Sequence, residues 1–542
     1  MTTALFFTSS ISIAQQLDLK TKIHNGKRIY QQGILPNGKP LTGIGAGNIT
    51  LFGSQASCIR CHRRSAFGST EGDLRIPAIL GDILYSERNK SDKELSRRRT
   101  TGHGARPAYT DNTLLNAITQ GSGADQRTLN KLMPRYQLTK NQSDAVIEYL
   151  KSLTLKTDLG VTKENIHIAT IYSSDVATKD TRVMLDLLNI FIKDVNTKTR
   201  QEQKRASNSP WHKRWEYESY RTIKLHAWKL TGLPETWKQQ LEKFYATQNV
   251  FAVINGISNN SWDVIHQFCN NTKLPCLFPT TELPALAQNN IYNFYYSGGI
   301  AFDAKTIASH IKKLANNTNK TVLQVYRDNI KNKTAAKILK SDLLFSKITI
   351  KNHVVKIKNS LSAAKWSELI EHYKPSIIVS WLNADDVAAL NTKAVNSNSL
   401  DRLYYSYSHL GDNYSTIITK NTEKSFLAYR YMLPKRKEMH MTRATFWAKR
   451  KKIDISNEKI IGNAFFAATL FNRSIKKMRA YLKRDYLVDM IESMLENNAF
   501  HSVYPNLSLG PDQRIASKGA YILGPLSNTD HNKKQNTIWI RH

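Results

Sequence analysis

At 542 residues the chain is long enough for about three domain-sized units, and its 41% apolar content belongs to a globular protein with packed cores, not a disordered one. Lysine and arginine number 78 against 43 aspartates and glutamates, a formal charge of +35. Such a field favours acidic partners, anionic membrane surfaces or nucleic acid, or is simply a lysine-rich solvated surface; it says nothing about fold. No stretch approaches the ~20 apolar residues that cross a bilayer, so no membrane span is expected in the mature chain.

Residues 1–14 carry short apolar runs, Ala4 to Phe7 and Ile11 to Ile13, and end in the small-x-small pattern Ser12-Ile13-Ala14. They read as a signal peptide cleaved before Gln15, although the usual basic residues in front are missing. Residues 15–157 then form one region. An amphipathic helix is expected over Leu17–Gln31, followed by a glycine-rich stretch from Gly33 to Gly53. Next comes Cys58-Ile59-Arg60-Cys61-His62. C-x-x-C-H is the attachment motif for one covalent haem c: two thiols form thioethers, and the histidine becomes an axial iron ligand. Half of a zinc site would need a second ligand pair, and Cys269 with Cys276 are badly spaced for it. Met133, in Leu132-Met133-Pro134, is the only methionine of this region after the initiator. A His62/Met133 pair would fill both axial positions and suit electron transfer; a core methionine with His103 or His24 as sixth ligand is the other reading. The region closes with a helix over Thr139–Leu153, whose Thr139 and Gln142 make a capping box and whose Ala145, Val146, Tyr149, Leu150 and Leu153 form one stripe.

After a polar linker near 156–163 the pattern changes to strands alternating with amphipathic helices. Strands are expected at Ile166–Ile171, Val250–Ile254, Val322–Tyr326 and Ile377–Ser380, with a helix over Thr181–Val195 and another over Trp262–Asn270. This alternation predicts parallel sheets with crossover helices for residues 158–542. Cys269 and Cys276 form either a disulfide, if the compartment is oxidising, or two buried thiols. Trp211, Trp215, Tyr217 and Tyr220 lie among His212, Lys213, Arg214 and Arg221, but aromatic–basic mixing of this kind is more often a packed segment than a nucleic-acid surface, so nucleic acid is not expected as a partner. The basic run from Arg430 to Lys452 is expected to be a solvated face. No nucleotide-binding, nucleophile-elbow or zinc-protease motif occurs, so a catalytic role is not favoured.

Around Cys58, Cys61, His62 and Met133 the sequence resembles class I cytochromes c over residues 17–155. The resemblance implies an all-α domain in which the first and last helices cross over the haem and the distal methionine precedes the last helix. The Gly33–Gly53 insertion departs from it. Because such haems are attached outside the cytoplasmic membrane, the resemblance also implies export to the periplasm. From about Asn165 the chain resembles a type I periplasmic binding protein, on the run from Asn249 to Thr281 and the tail from Tyr504 to Gly519. That implies a two-lobed α/β module with ligand-contacting loops at strand ends. On this reading Ser258, Ser261, Thr280 and Thr281 would face a small amino-acid- or amide-like ligand from one lobe, and Arg327 and Trp381 from the other, although Ser261 equally suits a helix cap. The expected function is electron transfer to an acidic partner by a mono-haem cytochrome joined to a sensing or docking module. The alternative is a solute-binding component of an ABC-type transporter with an accessory haem domain.

Overall fold

The computed structural model describes the whole chain except residues 1–3, 73, 89–104, 210–219, 287–289, 316–318, 345, 357–359, 394–398, 418–422, 498–500, 511–512 and 526–536. His103 and the cluster from Trp211 to Tyr217 therefore lie outside the described residues. Two compact units result: Met1–Asp158 with Tyr481–Asp489, and Leu159–Ala480 with Met490–His542.

In the first unit a long helix, Ala4–Gln32, crosses the helix Lys140–Ser152. The crossing is close because Gly26 has no side chain: a Cβ there would stand 1.9 Å from the Ala145 carbonyl oxygen. Tyr30 and Tyr149 pack beside it with ring centroids 5.3 Å apart. The second helix begins as its capping box predicts, with Gln142 accepting from the Thr139 amide at 2.9 Å. The unit is not all-helical, which corrects the expectation. Thr42–Ile44 pairs antiparallel with Thr50–Phe52 and with Arg135–Tyr136, and Ser69–Glu71 pairs with Leu74–Ile76. The first of these small sheets is built from the glycine-rich insertion. Gly43 allows Tyr136 to lie flat across its strand, since a Cβ would meet the ring at 2.9 Å.

The second unit has two lobes, each a sheet with helices against it. In the first lobe, Asn165–Ser173 is flanked in parallel by Thr222–Leu230 and by Ala252–Ile254, then Cys276–Leu277 and Asn293–Phe294. The expected strand at Ile166 and helix at Thr181 are there, the helix running on from Thr178 to Asn208. In the second lobe, Ile348–Val355, Lys320–Arg327, Ile377–Trp381, Arg402–Ser406 and Ser425–Tyr429 are parallel; Gly519–Leu523 and Thr537–Arg541 add antiparallel strands at one edge. The central strands are buried on both faces, as Ile377–Trp381 is throughout, which is why they read as continuous apolar runs. Trp228, Trp237 and Trp262 anchor the first core; Val322, Val379 and Trp381 belong to the second. Each such side chain contributes ~1.5–3 kcal/mol by burial.

The chain passes between the lobes three times. Asn293–Phe294 leads through Tyr295 and Tyr296 to the second-lobe helix Ile300–Ala315. Ser425–Tyr429 leads back to the helices Pro434–Arg450 and Glu458–Met478, the latter packed on the first lobe. The tail then returns alongside both crossings: the Met432 amide donates to Val503 at 2.8 Å, and Ala516 and Ser517 donate to Tyr295 and Tyr296 at 2.9 and 2.8 Å. Tyr296 stacks on Tyr504, and Tyr504 meets Tyr431, at 5.2 and 5.1 Å. Backbone hydrogen bonds and packed rings thus link the crossings. Among the described residues, no helix is long and apolar enough to cross a membrane.

Candidate functional sites

In the first unit Cys58, Cys61 and His62 share one helical turn, Ile59–His62, capped by the Cys58 backbone. Cys58 packs in the apolar core beside Ile59, Leu80, Leu84 and Tyr136, and burial pushes its thiol up to about 12. The His62 ring is buried, with Nδ1 3.0 Å from the Pro77 carbonyl oxygen. Burial pushes its pKa down to about 4 despite that carbonyl, so the ring is neutral at physiological pH. Nδ1 is the natural donor, which leaves the Nε2 lone pair for another partner. The motif is fixed from several sides. Tyr30 donates to the Arg63 carbonyl at 2.8 Å, and Asp489 of the returning segment accepts from the Ser65 amide at 2.9 Å. Tyr486, also of that segment, stacks on Phe67 at 4.2 Å.

Met133 lies half-buried in the loop before Arg135–Tyr136. The loop wraps around Arg135, whose guanidinium donates to the carbonyls of Met133 and Leu129. Gly121 makes room for this group, since a Cβ there would overlap it at 2.0 Å. Three residues on, Tyr136 donates to the Ala56 carbonyl at 2.8 Å and lies in the field of both Cys58 and Cys61. The strand that follows Met133 is therefore held against the cysteine motif. His24 is exposed on the first helix. Among the described residues, no group of three or more His, Cys, Asp or Glu is placed to hold a metal ion. Cys269 and Cys276 form a disulfide, both buried in the first lobe.

In the second unit, the residues expected to line a cleft are mostly engaged with partners in their own lobe. The Ser258 hydroxyl accepts from the Asn260 amide at 3.1 Å, and Ser261 bonds Asp263 at 2.6 Å as a helix-start turn. Thr280 donates to Asn255 at 3.2 Å and accepts from Asn463 at 3.1 Å, inside the first lobe. Thr281 accepts from the Leu283 amide at 3.0 Å. Arg327 makes a paired contact with the buried Asp386, at 2.8 and 2.6 Å, where an anionic ligand had been expected. Trp381 is wholly buried and donates to Gln324 at 2.9 Å, so it is a core residue and not a cover for a ligand.

The side chains that do meet across the lobes are different. Glu282, just past Thr280–Thr281, is ion-paired with both Arg430 and Lys459. Arg430 follows the strand Ser425–Tyr429 and is 1% exposed; its Nε donates to Asp303 at 2.7 Å and its Nη2 to Ser408. This corrects the expectation for the basic run: its first residue is interior, and the solvated helix begins at Pro434. Ser406 and Ser408 donate to the other oxygen of Asp303, at 2.5 and 3.1 Å. Lys331, near the start of the helix Ile330–Leu343, donates to the Ser408 carbonyl at 2.8 Å. His409 bonds Asn332 at 2.8 Å. Burial would raise the Glu282 pKa, but Arg430, Lys459 and Lys331 hold it well below the usual carboxylate value. Burial pushes Lys331 down and His409 well down, so His409 is neutral. Arg430 could not be singled out by motif; its place at a strand end, after Phe426, Leu427 and Ala428, was the available signal.

No protein-family model matches the sequence, and no curated protein matches it. Among solved structures the chain is similar to a putative branched-chain amino acid ABC transporter protein from Rhodospirillum rubrum, with 13% identity over 68% of this chain and 98% of that one and a TM-score of 0.46. It is also similar to a leucine-binding protein from Thermotoga maritima, at 10% identity over 69% and 99% of the two chains, TM-score 0.45. An ABC transporter substrate-binding protein from Sphaerobacter thermophilus aligns at 11% identity over 70% and 97%, TM-score 0.48.

Proposed function

We propose that the second unit is the binding component for a small solute of amino-acid or amide size, and that the first carries one covalent haem c for electron transfer. The observation that carries the binding role is the meeting of Glu282 from one lobe with Arg430 from the other, at the carboxyl ends of parallel strands and beside the three chain crossings. Open α/β sheets present their polar groups to ligands at that end. A thermal-shift screen of small metabolites on the haem-loaded protein, oxidised and reduced, tests it. A solute with micromolar or tighter affinity is expected; a screen with no hit overturns the binding role.

The electron-transfer role is favoured by a separate observation: His62 is buried, neutral and oriented through Nδ1 by Pro77. A hydrogen bond from the far ring nitrogen to a carbonyl orients a metal-ligating histidine and fixes its tautomer. The residues fit a c-type haem, with two thiols on one turn, an apolar surround and a histidine with one nitrogen to spare. Cys58 and Cys61 would hold the group covalently, and His62 and Met133 would hold the iron. When bound, the haem supplies a one-electron couple. The chain's part is to keep water from it with the core around Leu80, Leu84 and Tyr136, and to hold the Met133 loop through Arg135. Haem attachment and the Cys269–Cys276 disulfide both suit a periplasmic location. Mass spectrometry of the denatured protein should show one added haem; its absence overturns this role without touching the other.

A further inference from the structure

The charges between the lobes do not balance. Among the described residues three cations, Lys331, Arg430 and Lys459, face two carboxylates, Glu282 and Asp303, while burial leaves His409 neutral. Every oxygen of the two acids is already engaged. Each oxygen of Glu282 takes a cation, and the oxygens of Asp303 take Arg430, Ser406 and Ser408. The unused bonding capacity at Arg430 and Lys331 is cationic. Arg430 is 1% exposed, yet its Nη1 has no hydrogen-bond partner among the described residues. Lys331 has only a carbonyl oxygen, and it stands in the first turn of a 14-residue helix with no acid in that turn. A cation at a helix N-terminus opposes the dipole, and an anion there is favoured. A buried arginine nitrogen without an acceptor and a half-buried ammonium bonded to a carbonyl oxygen both cost free energy that an incoming carboxylate would recover.

We propose that this charged cluster between the lobes takes a small carboxylate without a free ammonium group, its acid lodged against Arg430 and Lys331. The proposal rests on the solute-binding role and sharpens it: an amino acid would bring a further ammonium into a cluster that already holds one cation in excess. Selection against it follows from an unmatched charge, a repulsive element of the kind that gives binding sites specificity.

The test uses the full haem-loaded chain and three matched series, the C2–C6 straight and branched carboxylates, the corresponding 2-amino acids and the corresponding amines, by calorimetric titration. At least one carboxylate should bind ten-fold or more tighter than its amino acid and its amine. Lys331→Met should weaken that carboxylate at least ten-fold, whereas Lys331→Arg should keep it within a few-fold. Without ligand, Lys331→Met should melt no lower than the parent, because it removes an uncompensated charge. That result also shows that the variant folds. Amino acids or amines binding tighter than the acids would overturn the proposal and leave the solute-binding role standing. Unchanged carboxylate affinity in folded Lys331→Met would overturn it too. If no compound of these series or of a broader metabolite screen binds, the solute-binding role itself falls.

Discussion

Glu282→Gln isolates what one carboxylate does between the lobes. In the parent it neutralises Lys459 and Arg430; in the variant three cations share Asp303 alone. Removing one partner of a buried ion pair costs ~3–5 kcal/mol. Glu282 is 20% and Lys459 29% exposed, so water recovers part of this and about 2–4 kcal/mol is the expected loss. With an unfolding entropy of ~2 cal/mol/K per residue, a unit as long as Leu159–Ala480 with Met490–His542 should melt about 3–5 °C lower. Calorimetry at neutral pH reads this directly. The pH profile gives a second reading. The folded pKa of Glu282 is depressed, so its stabilisation is present above the ordinary carboxylate value. It is lost as pH falls through the folded one. The parent should therefore lose melting temperature in acid more steeply than Glu282→Gln does, and the two curves should converge. A variant within 1 °C of the parent at neutral pH, with a parallel acid limb, would show that the carboxylate is not a buried counter-ion.

Met133→Ala in the haem-loaded protein should abolish the long-wavelength methionine-to-iron charge-transfer band; an unchanged spectrum would remove Met133 from the ligand set. Electron exchange with an acidic partner should slow steeply with added salt, because the +35 charge steers encounter only within a Debye length of ~8–10 Å; a rate that stays flat from low to physiological salt refutes an acidic partner. Arg327→Ala should cost about 3 kcal/mol in chemical denaturation by leaving Asp386 buried and unpaired, yet leave the affinity of any solute found within about two-fold, and a selective loss of affinity would return Arg327 to the cleft. Gly26→Val should lower the melting temperature of the first unit, since the added atoms meet the Ala145 carbonyl and overpacking costs ~1–3 kcal/mol or more; an unchanged melting curve would mean that the helices do not cross there.

What was legible in the sequence follows the range over which each signal acts. Strands such as Ile377–Trp381 announce themselves because burial on both faces demands an unbroken apolar run, and the Thr139–Gln142 capping box is a four-residue device. The motif Cys58-x-x-Cys61-His62 is equally local, so its three residues stand together wherever the rest of the unit goes. The strands Thr42–Ile44 and Thr50–Phe52 were harder. Each is three residues long, and they form only because Arg135–Tyr136, some ninety residues on, supplies the third strand. The returning segment Tyr481–Asp489 gives no sign in the sequence that it belongs with residues before 158, since stacking on Phe67 and accepting from Ser65 are visible only in three dimensions. The cleft shows the same limit most sharply. A strand-end rule points to Thr281 and Arg327, but it cannot tell that Leu283 and Asp386 have already used them. It also passes over Arg430, which sits at the head of a basic helix and looks like one more surface charge. Only the juxtaposition of Glu282, Asp303 and Arg430, separated by up to 148 residues, makes that arginine interior. Charge at a site of this kind is set by which distant partners arrive, so the sign of the ligand follows from the count of acids and bases that meet there and from no single stretch of the chain.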